Sequence, residues 1–391
     1  MGGPAVSIAA TAEALVRAGH TVTVVTTNAN LDENLDVPFN RPVDMEGVTV
    51  WYFRREEPLR RWLPFVPYLS QSSGFAYAPE MKKALPRLVA DADIVDTQTP
   101  FVYPTYATAR VALRLGKPLF YHQRGNLIPS RLRRRQLKKK LYIALFERRI
   151  MTRAAGLIAL TEGERAAFHS IAPGTPCDVV PNGVDVPPPD RSAAQRVAVR
   201  WGIPPDATVL LYLGRLEPWK GYEELLQTFA RIQQAHPAAF FVMAGVDQSE
   251  ACRRWGPIAA HDGYDRRLLF TGPLSGREKT DILHRADLFC LPSRGEGLSM
   301  SMLEAMAYGV PVMLSPECNF PDAERAGAGV IVPQDVDAMA AAMDELLRDP
   351  GRLRMMGEKG RELMLRCYSW DVVARRLAEI YARATKNTKS L

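Results

Sequence analysis

Short apolar runs alternate along the chain with longer stretches in which apolar residues recur every three or four positions, the signature of strands alternating with helices. In the first half, Thr21 to Thr27, Val48 to Phe53, Ile94 to Thr97, Pro118 to Tyr121, Gly156 to Leu160 and Asp178 to Val180 read as strands. The second half repeats the pattern at Val209 to Leu213, Phe240 to Ala244, Leu268 to Thr271, Leu288 to Leu291, Val312 to Ser315 and Gly329 to Val332. Between the halves, Pro181-Asn-Gly-Val-Asp185 and Val186-Pro-Pro-Pro-Asp190 make a stiff polar stretch suited to joining domains. The pattern predicts an α/β chain of two Rossmann-like, doubly wound domains: residues 1–185, a linker over 186–205, residues 206–370, and a closing helical segment over 371–391.

Composition agrees with two cores. The chain has 391 residues, 47% hydrophobic and 24% charged. No stretch approaches eighteen uninterrupted apolar residues and no charged start leads into a short apolar run, so neither a transmembrane helix nor a secretory leader is expected. Cys177, Cys252, Cys290, Cys318 and Cys367 are odd in number and scattered, which favours reduced thiols over a disulfide or metal framework and a cytoplasmic location.

Charge separates the halves. Residues 1–190 hold 24 Lys and Arg against 18 Asp and Glu, the remainder 26 against 25, so nearly all of the +7 net charge lies in the first half. Its centre is Arg131 to Lys140, seven cations in ten residues, followed by the apolar Leu141 to Phe146. Two readings stand for residues 131–146: a solvated helix face, or an amphipathic helix docking on an anionic membrane surface at the inner face of the plasma membrane. Nucleic acid is not expected, because neither an aromatic-interleaved platform nor helix-turn-helix spacing accompanies the charge.

The candidate chemistry gathers where strands give way to helices. After the buried run Leu288 to Leu291 comes Pro292-Ser-Arg-Gly-Glu296-Gly297-Leu298-Ser299, then a helix expected over about Ser299 to Tyr308 with Glu304 on it and Gly309 closing it. Such a junction offers free backbone N–H groups and a helix dipole to a diphosphate, and carboxylates on either side accept hydrogen bonds from sugar hydroxyls. On one helix the two glutamates would be about 12 Å apart; spacing alone equally allows two solvent-facing glutamates. About eighty residues upstream, the strand Val209 to Leu213 runs into Gly214-Arg215-Leu-Glu-Pro-Trp-Lys220-Gly221, where two cations suit a diphosphate or a plain surface turn.

The first of these runs, with Pro-Ser before it and Glu-Ala-Met-Ala-x-Gly-x-Pro-Val after it, resembles the E-x7-E signature of the retaining glycosyltransferases of family 4. The second resembles that family's G-R-L-x-x-x-K-G donor-phosphate motif, in the expected order. The resemblance implies a GT-B fold, two Rossmann-like domains facing a cleft, with the last helix, Tyr368 to Tyr381, crossing back onto the first domain. It implies that Glu296 sits by the donor sugar and that Glu304 holds the ribose. His122 resembles the histidine contacting the donor sugar and acceptor side, and Arg124-Gly125 resembles the family's Arg-Gly form, although a lone His is also a common structural residue. Carried over residue by residue, the catalytic positions are His122 and Glu296. The donor-binding positions are Gly3, Arg124, Arg215, Lys220, Gly297, Leu298, Ser299 and Glu304. Thr161-Glu162 and Asn182-Gly183 also match family positions, and Asn-Gly is equally an ordinary turn.

The function implied is transfer of a hexose from a UDP- or GDP-sugar to a glycan or lipid-linked acceptor in polysaccharide biosynthesis, with retention and front-face attack, and with no cofactor. A metal-independent reaction is expected because no D-x-D follows a strand while Arg215, Lys220 and a helix N-terminus address the diphosphate. Pro316 to Pro321 resembles a loop of members that build bacterial surface polysaccharides. Two alternatives stand beside this: an inactive GT-B relative serving as a binding subunit, and a nucleotide-sugar epimerase. The chain departs from the family at its front, where only Met1 precedes Gly2-Gly3. The expectation is that translation starts upstream of Met1, the alternative being a domain folded with a gap in its sheet.

Overall fold

Consecutive residues Leu210, Leu211 and Tyr212 are all buried, which happens only when a strand is covered on both faces. They belong to Thr208–Leu213, at the heart of a six-stranded parallel sheet. The computed structural model describes residues 3–30, 33–56, 76–127, 136–247 and 249–389. The chain divides into an N-terminal unit, Met1–Gly183 with Trp370–Leu391, and a C-terminal unit, Val184–Ser369.

In the C-terminal unit the sheet order is Leu268–Gly272, Ala239–Ala244, Thr208–Leu213, Leu288–Leu291, Val312–Leu314, Gly329–Ile331. In chain order this is 3-2-1-4-5-6, the doubly wound arrangement, and it reverses direction between Thr208–Leu213 and Leu288–Leu291. Side chains cap the helices Val336–Leu347 and Pro350–Leu363: Asp335 accepts from the Ala338 amide and Asp349 from the Arg352 amide, each at 2.9 Å. The stretch read as a linker over 186–205 contains a helix. Ala193–Trp201 is a helix that buries Ala193 and Val197 and packs on Gly276–Arg285, with Arg196 bridging Asp190 at 2.5 Å and Asp281 at 2.6 Å. The prolines before it drew attention from the apolar spacing within it.

In the N-terminal unit the strands form two main sheets. One orders Thr23–Thr27, Val48–Phe53 and Pro42–Met45, the last antiparallel through a tight turn that the sequence reading did not foresee. The other is parallel: Val95–Gln98, Leu119–His122, Gly156–Ala159 and Cys177–Val179. Thr23–Thr27 and Val95–Gln98 each keep one edge without a strand partner among the described residues. One apolar core joins the two sheets, with Phe53 and Val25 packing among Met81, Leu85, Tyr121, Leu157 and Phe168.

The closing helix Trp370–Lys389 belongs to this unit and lies beside the first helix, Gly3–Arg17. Gly183 lets it enter, since a Cβ there would stand 2.3 Å from the Trp370 ring and 2.9 Å from its Cα. Of the basic run, residues 131–135 lie outside the described residues. Gln136–Tyr142 is helical and continues through a wide turn, Ile143–Glu147, into Arg148–Met151, leaving Leu137, Leu141 and Leu145 exposed. Among the described residues no helix is long and apolar enough to cross a membrane.

Candidate functional site

In a doubly wound sheet, ligands bind beyond the carboxyl ends of the strands where the order reverses. In the C-terminal unit that places the site in the loops Gly214–Lys220 and Pro292–Ser299, which leave the two central strands. Lys220 ends the single turn Pro218–Lys220, and its Nζ donates to Glu296 Oε1. The two side chains are only 12% and 8% exposed, so this is a sequestered ion pair rather than a surface one. Lys220 also lies over the Trp219 ring, 4.7 Å from its centroid.

The backbone holds the two loops together. The Arg294 amide donates to the Trp219 carbonyl at 2.8 Å, and the Glu296 amide to the Glu317 carbonyl at 3.0 Å. Asn319 Nδ2 donates to the Glu296 carbonyl at 3.0 Å. Gly221, at φ 72°, makes the close approach possible, since a Cβ there would stand 2.2 Å from the Pro292 carbonyl oxygen.

Arg215 pairs with Glu217 at 2.8 Å, and the Tyr212 hydroxyl donates to the Arg215 carbonyl at 2.7 Å. Burial pushes the Tyr212 hydroxyl well up, and the neighbouring Glu296 and Glu217 carboxylates add to it, which places both acids around one buried phenol. Ser299 is the N-cap residue of the helix Met300–Ala307, but its hydroxyl meets Ser301 Oγ at 3.1 Å and caps no amide. The first amides, beside Gly297, Leu298 and Ser299, are left without a side-chain cap, a setting that favours an anion. Glu304 is on this helix; Glu296 is not, so the spacing expected for two glutamates on one helix does not apply. Glu304 Oε1 meets Lys279 Nζ at 2.6 Å, a partner that sequence spacing gave no reason to single out.

In the N-terminal unit, His122 ends the strand Leu119–His122 and is 2% exposed. Its Nε2 stands 3.0 Å from Asp96 Oδ2, an ion-pair approach without an in-line hydrogen bond. Burial lowers the His122 pKa, Asp96 opposes that, and the Arg124 charge lowers it further. Arg124, at φ 49°, donates from Nε to Gln98 Oε1 at 2.8 Å and from Nη1 to Asn182 Oδ1. Asn182 is therefore a buried acceptor as well as part of a turn. Gly3 opens the helix Gly3–Arg17 in the same unit.

Beside this network, Thr161 caps the helix Glu162–Ile171 by accepting from the Glu164 amide at 3.2 Å. The Glu164 carboxylate is buried and accepts from the Leu160 amide at 2.8 Å. Burial pushes its pKa up to about 7 against that bond and the Arg124 charge. Tyr381, from the closing helix, donates its hydroxyl to Asp96 Oδ2. The structure thus brings Lys220 to Glu296 and links His122 with Arg124, while Arg215 and Glu304 keep partners of their own. Sequence reasoning missed Asp96, Glu164, Lys279 and Tyr381. Asp96 alone carried a signal, an acid near the carboxyl end of an apolar strand.

Two family models match the chain, Glycosyl transferase 4-like domain over residues 2–183 and Glycosyl transferases group 1 over residues 195–363. The chain is 31% identical over 215 residues to a GDP-mannose-dependent monoacylated alpha-(1-6)-phosphatidylinositol monomannoside mannosyltransferase of Corynebacterium glutamicum, covering 51% of this chain and 55% of that protein. It is 31% identical over 246 residues to a GDP-mannose-dependent alpha-(1-6)-phosphatidylinositol monomannoside mannosyltransferase of Mycolicibacterium smegmatis, covering 60% of this chain and 63% of that one. The matches therefore span 55% and 63% of the lengths of these curated relatives. Among solved structures, sucrose-phosphate synthase from Thermosynechococcus elongatus superposes with a TM-score of 0.75 at 21% identity, covering 98% of this chain and 93% of that one. That likeness shows the fold, which is of the GT-B class.

Proposed function

The chain belongs to glycosyltransferase family 4, and from that premise we propose that it moves a hexose, with retention, from a nucleoside-diphosphate sugar to a hydroxyl of a glycan or lipid-linked acceptor. The observation that carries the reading is the sequestered Lys220–Glu296 pair at the point of strand-order reversal in the C-terminal unit. A buried cation beside uncapped helix amides suits a diphosphate, and a carboxylate held by that cation suits the sugar hydroxyls next to it.

In the proposed reaction the bond between the sugar's anomeric carbon and the diphosphate oxygen breaks, and the electron pair leaves on the diphosphate. The acceptor oxygen bonds to the same face of that carbon, and its proton passes to the departing phosphate oxygen. Glu296 orients the sugar without attacking it. Lys220, Arg215 and the first amides of Met300–Ala307 meet the growing negative charge, which is the work a divalent metal would otherwise do. Transfer is proposed to run without one, and activity retained in excess chelator is the check. Glu304 holds the ribose, while His122 and Arg124 serve the donor sugar and acceptor side.

Two similar proteins carry GDP-mannose in their names, which makes GDP-mannose the first donor to try, ahead of UDP-glucose. The exposed Leu137, Leu141 and Leu145 beside Lys139, Lys140, Arg148 and Arg149 support a peripheral position on an anionic cytoplasmic leaflet, consistent with a lipid-linked acceptor in surface-polysaccharide assembly. The deciding experiment follows thermal shift and sugar release with GDP-mannose, GDP-glucose, UDP-glucose and UDP-galactose. Release with one donor, lost in Glu296→Gln, supports the reading. A thermal shift without turnover points to a binding subunit, and interconversion of the sugar on intact donor to an epimerase.

A further inference from the structure

Tyr381 stands on the closing helix, 285 positions beyond Asp96 in the chain, yet its hydroxyl reaches Asp96 Oδ2. That same oxygen lies 3.0 Å from His122 Nε2. The tyrosine ring packs against Phe120 with centroids 4.8 Å apart, and Arg383 bridges Asp178 at 3.1 Å. This part of the helix is therefore tied to the strands Leu119–His122 and Cys177–Val179 rather than loosely laid on the unit. Asp96 Oδ1 and both His122 ring nitrogens are buried and make no in-line hydrogen bond within the protein among the described residues, Nε2 having the Asp96 carboxylate beside it and Nδ1 facing no acid.

We infer that Asp96 and Tyr381 are positioning residues for His122: Asp96 selects the tautomer protonated at Nε2, Tyr381 fixes the carboxylate that does so, and Nδ1 is left as the acceptor for a substrate hydroxyl. The argument rests on what each group can do. An ionised carboxylate only accepts, so the imidazole nitrogen facing it carries the proton and the other nitrogen carries the lone pair. A buried acceptor left unpaired is costly unless a ligand supplies the missing donor. The groups that face His122 are Asp96 and Arg124, and Arg124 in turn faces Asp96, Glu164 and Tyr381. Burial lowers the histidine's affinity for a second proton, which keeps the ring neutral and Nδ1 open. The hydroxyl it would meet belongs to the donor sugar or the acceptor, so the inference rests on the role given to His122 under Proposed function.

The test is ring-nitrogen NMR on the full chain labelled at its six histidines, with His122→Asn identifying the His122 signals. The expected result is the Nε2–H tautomer at neutral pH. Tyr381→Phe keeps the ring against Phe120 and removes only the hydroxyl. It frees Asp96 to hold the imidazolium more strongly, so the His122 midpoint rises; Asp96→Asn removes the charge, so the midpoint falls. A helix that merely packs would not give shifts of opposite sign. In donor hydrolysis, Tyr381→Phe is expected to lower kcat roughly tenfold with little change in KM, the size of effect that a misplaced group produces, and the acidic limb of its pH profile moves up with the ring. An Nδ1–H tautomer in the wild type, or an unmoved His122 midpoint in Tyr381→Phe, overturns the inference. Wild-type turnover by His122→Asn would instead sink the catalytic role of the histidine, and the ring measurement would still decide the positioning.

Discussion

The two units handle buried charge in opposite ways. In the C-terminal unit, acids are held low by hydrogen-bonding partners on neighbouring elements: Arg196 draws Asp281 below its ordinary range and the His236 ring does the same for Asp344. The site likewise pairs an acid with a cation from another element, with Lys220 closed on Glu296 across two adjacent loops. In the N-terminal unit, burial wins over partners. It raises Glu147 even though the Tyr121 hydroxyl and the Phe101 amide bond to it, and it raises Glu164 despite Arg124. A site made of paired loops is ready for a charged ligand. A site embedded in a buried network controls protons and orientation instead.

The comparison breaks most visibly at Lys220. Lys220→Met leaves Glu296 with an uncompensated charge at 8% exposure, and removal of one partner from such a pair costs roughly 3–5 kcal/mol. Thermal unfolding should show a large loss for Lys220→Met and a smaller one for Lys220→Met with Glu296→Gln, because the double change removes the stranded charge. Both proteins should lose donor turnover by at least about a hundredfold. If the double variant is no more stable than the single one, the pair is not a sequestered contact.

The contrast sharpens at Glu164, where the N-terminal network turns pH into stability. Its pKa is raised from an ordinary 4.5 to about 7, so the folded state prefers the proton. That stabilisation is complete below about 4.5 and is lost as pH rises through about 7. The span corresponds to about 3 kcal/mol. His122, lowered by burial, works in the other direction: its contribution is present above its ordinary value and is lost as pH falls through the folded value. Chemical denaturation of Glu164→Gln across pH 4.5 to 7.5 isolates the carboxyl, since Gln keeps an acceptor for the Leu160 amide. The variant should lose the decline toward neutral pH that the wild type shows. Parallel curves for the two proteins would mean that Glu164 does not titrate in this range.

Gly221 tests how closely the paired loops must sit. At φ 72°, and with a Cβ only 2.2 Å from the Pro292 carbonyl oxygen, Gly221→Ala requires both a strained backbone and a displaced loop, about 1–3 kcal/mol. Because Lys220 precedes it, the displacement should also raise the donor KM. A variant with unchanged melting temperature and unchanged KM would show that the loops tolerate separation.

How much could be read in the sequence follows from the same contrast. Lys220, Gly221 and Glu296 lie in short runs beside apolar strands, so local pattern was enough to find them. The sheet that brings those runs together is equally readable, because its inner strands Ala239–Ala244, Thr208–Leu213, Leu288–Leu291 and Val312–Leu314 are almost wholly apolar and mostly buried. Asp96 and Tyr381 meet only through the fold, as do Arg124 and Asn182. The Tyr381 phenol gives no sign in the helix pattern that it will reach an acid 285 positions earlier. Ala193–Trp201 is masked for a different reason: the three consecutive prolines before it mark a linker, while its buried Ala193 and Val197 are too few to stand out as an apolar face.

The smallest expected effect concerns Lys279, which ties the outer glutamate of the C-terminal site. Its Nζ lies 2.6 Å from Glu304 Oε1, and the two side chains are 30% and 20% exposed, so solvent and salt screen the pair far more than they screen Lys220 and Glu296. Pairs of this kind are worth about 0.2–1 kcal/mol. Stability should therefore change little in Lys279→Ala. If Glu304 holds the ribose, Lys279 occupies one of its oxygens and leaves the other to a sugar hydroxyl, so losing the lysine loosens the carboxylate's aim. The donor KM is expected to rise up to about fivefold with kcat unchanged, the difference shrinking as salt is raised. A fall in kcat at constant KM would place Lys279 at the reacting end of the donor instead of the nucleoside end, and would bring it into the group formed by Lys220 and Glu296.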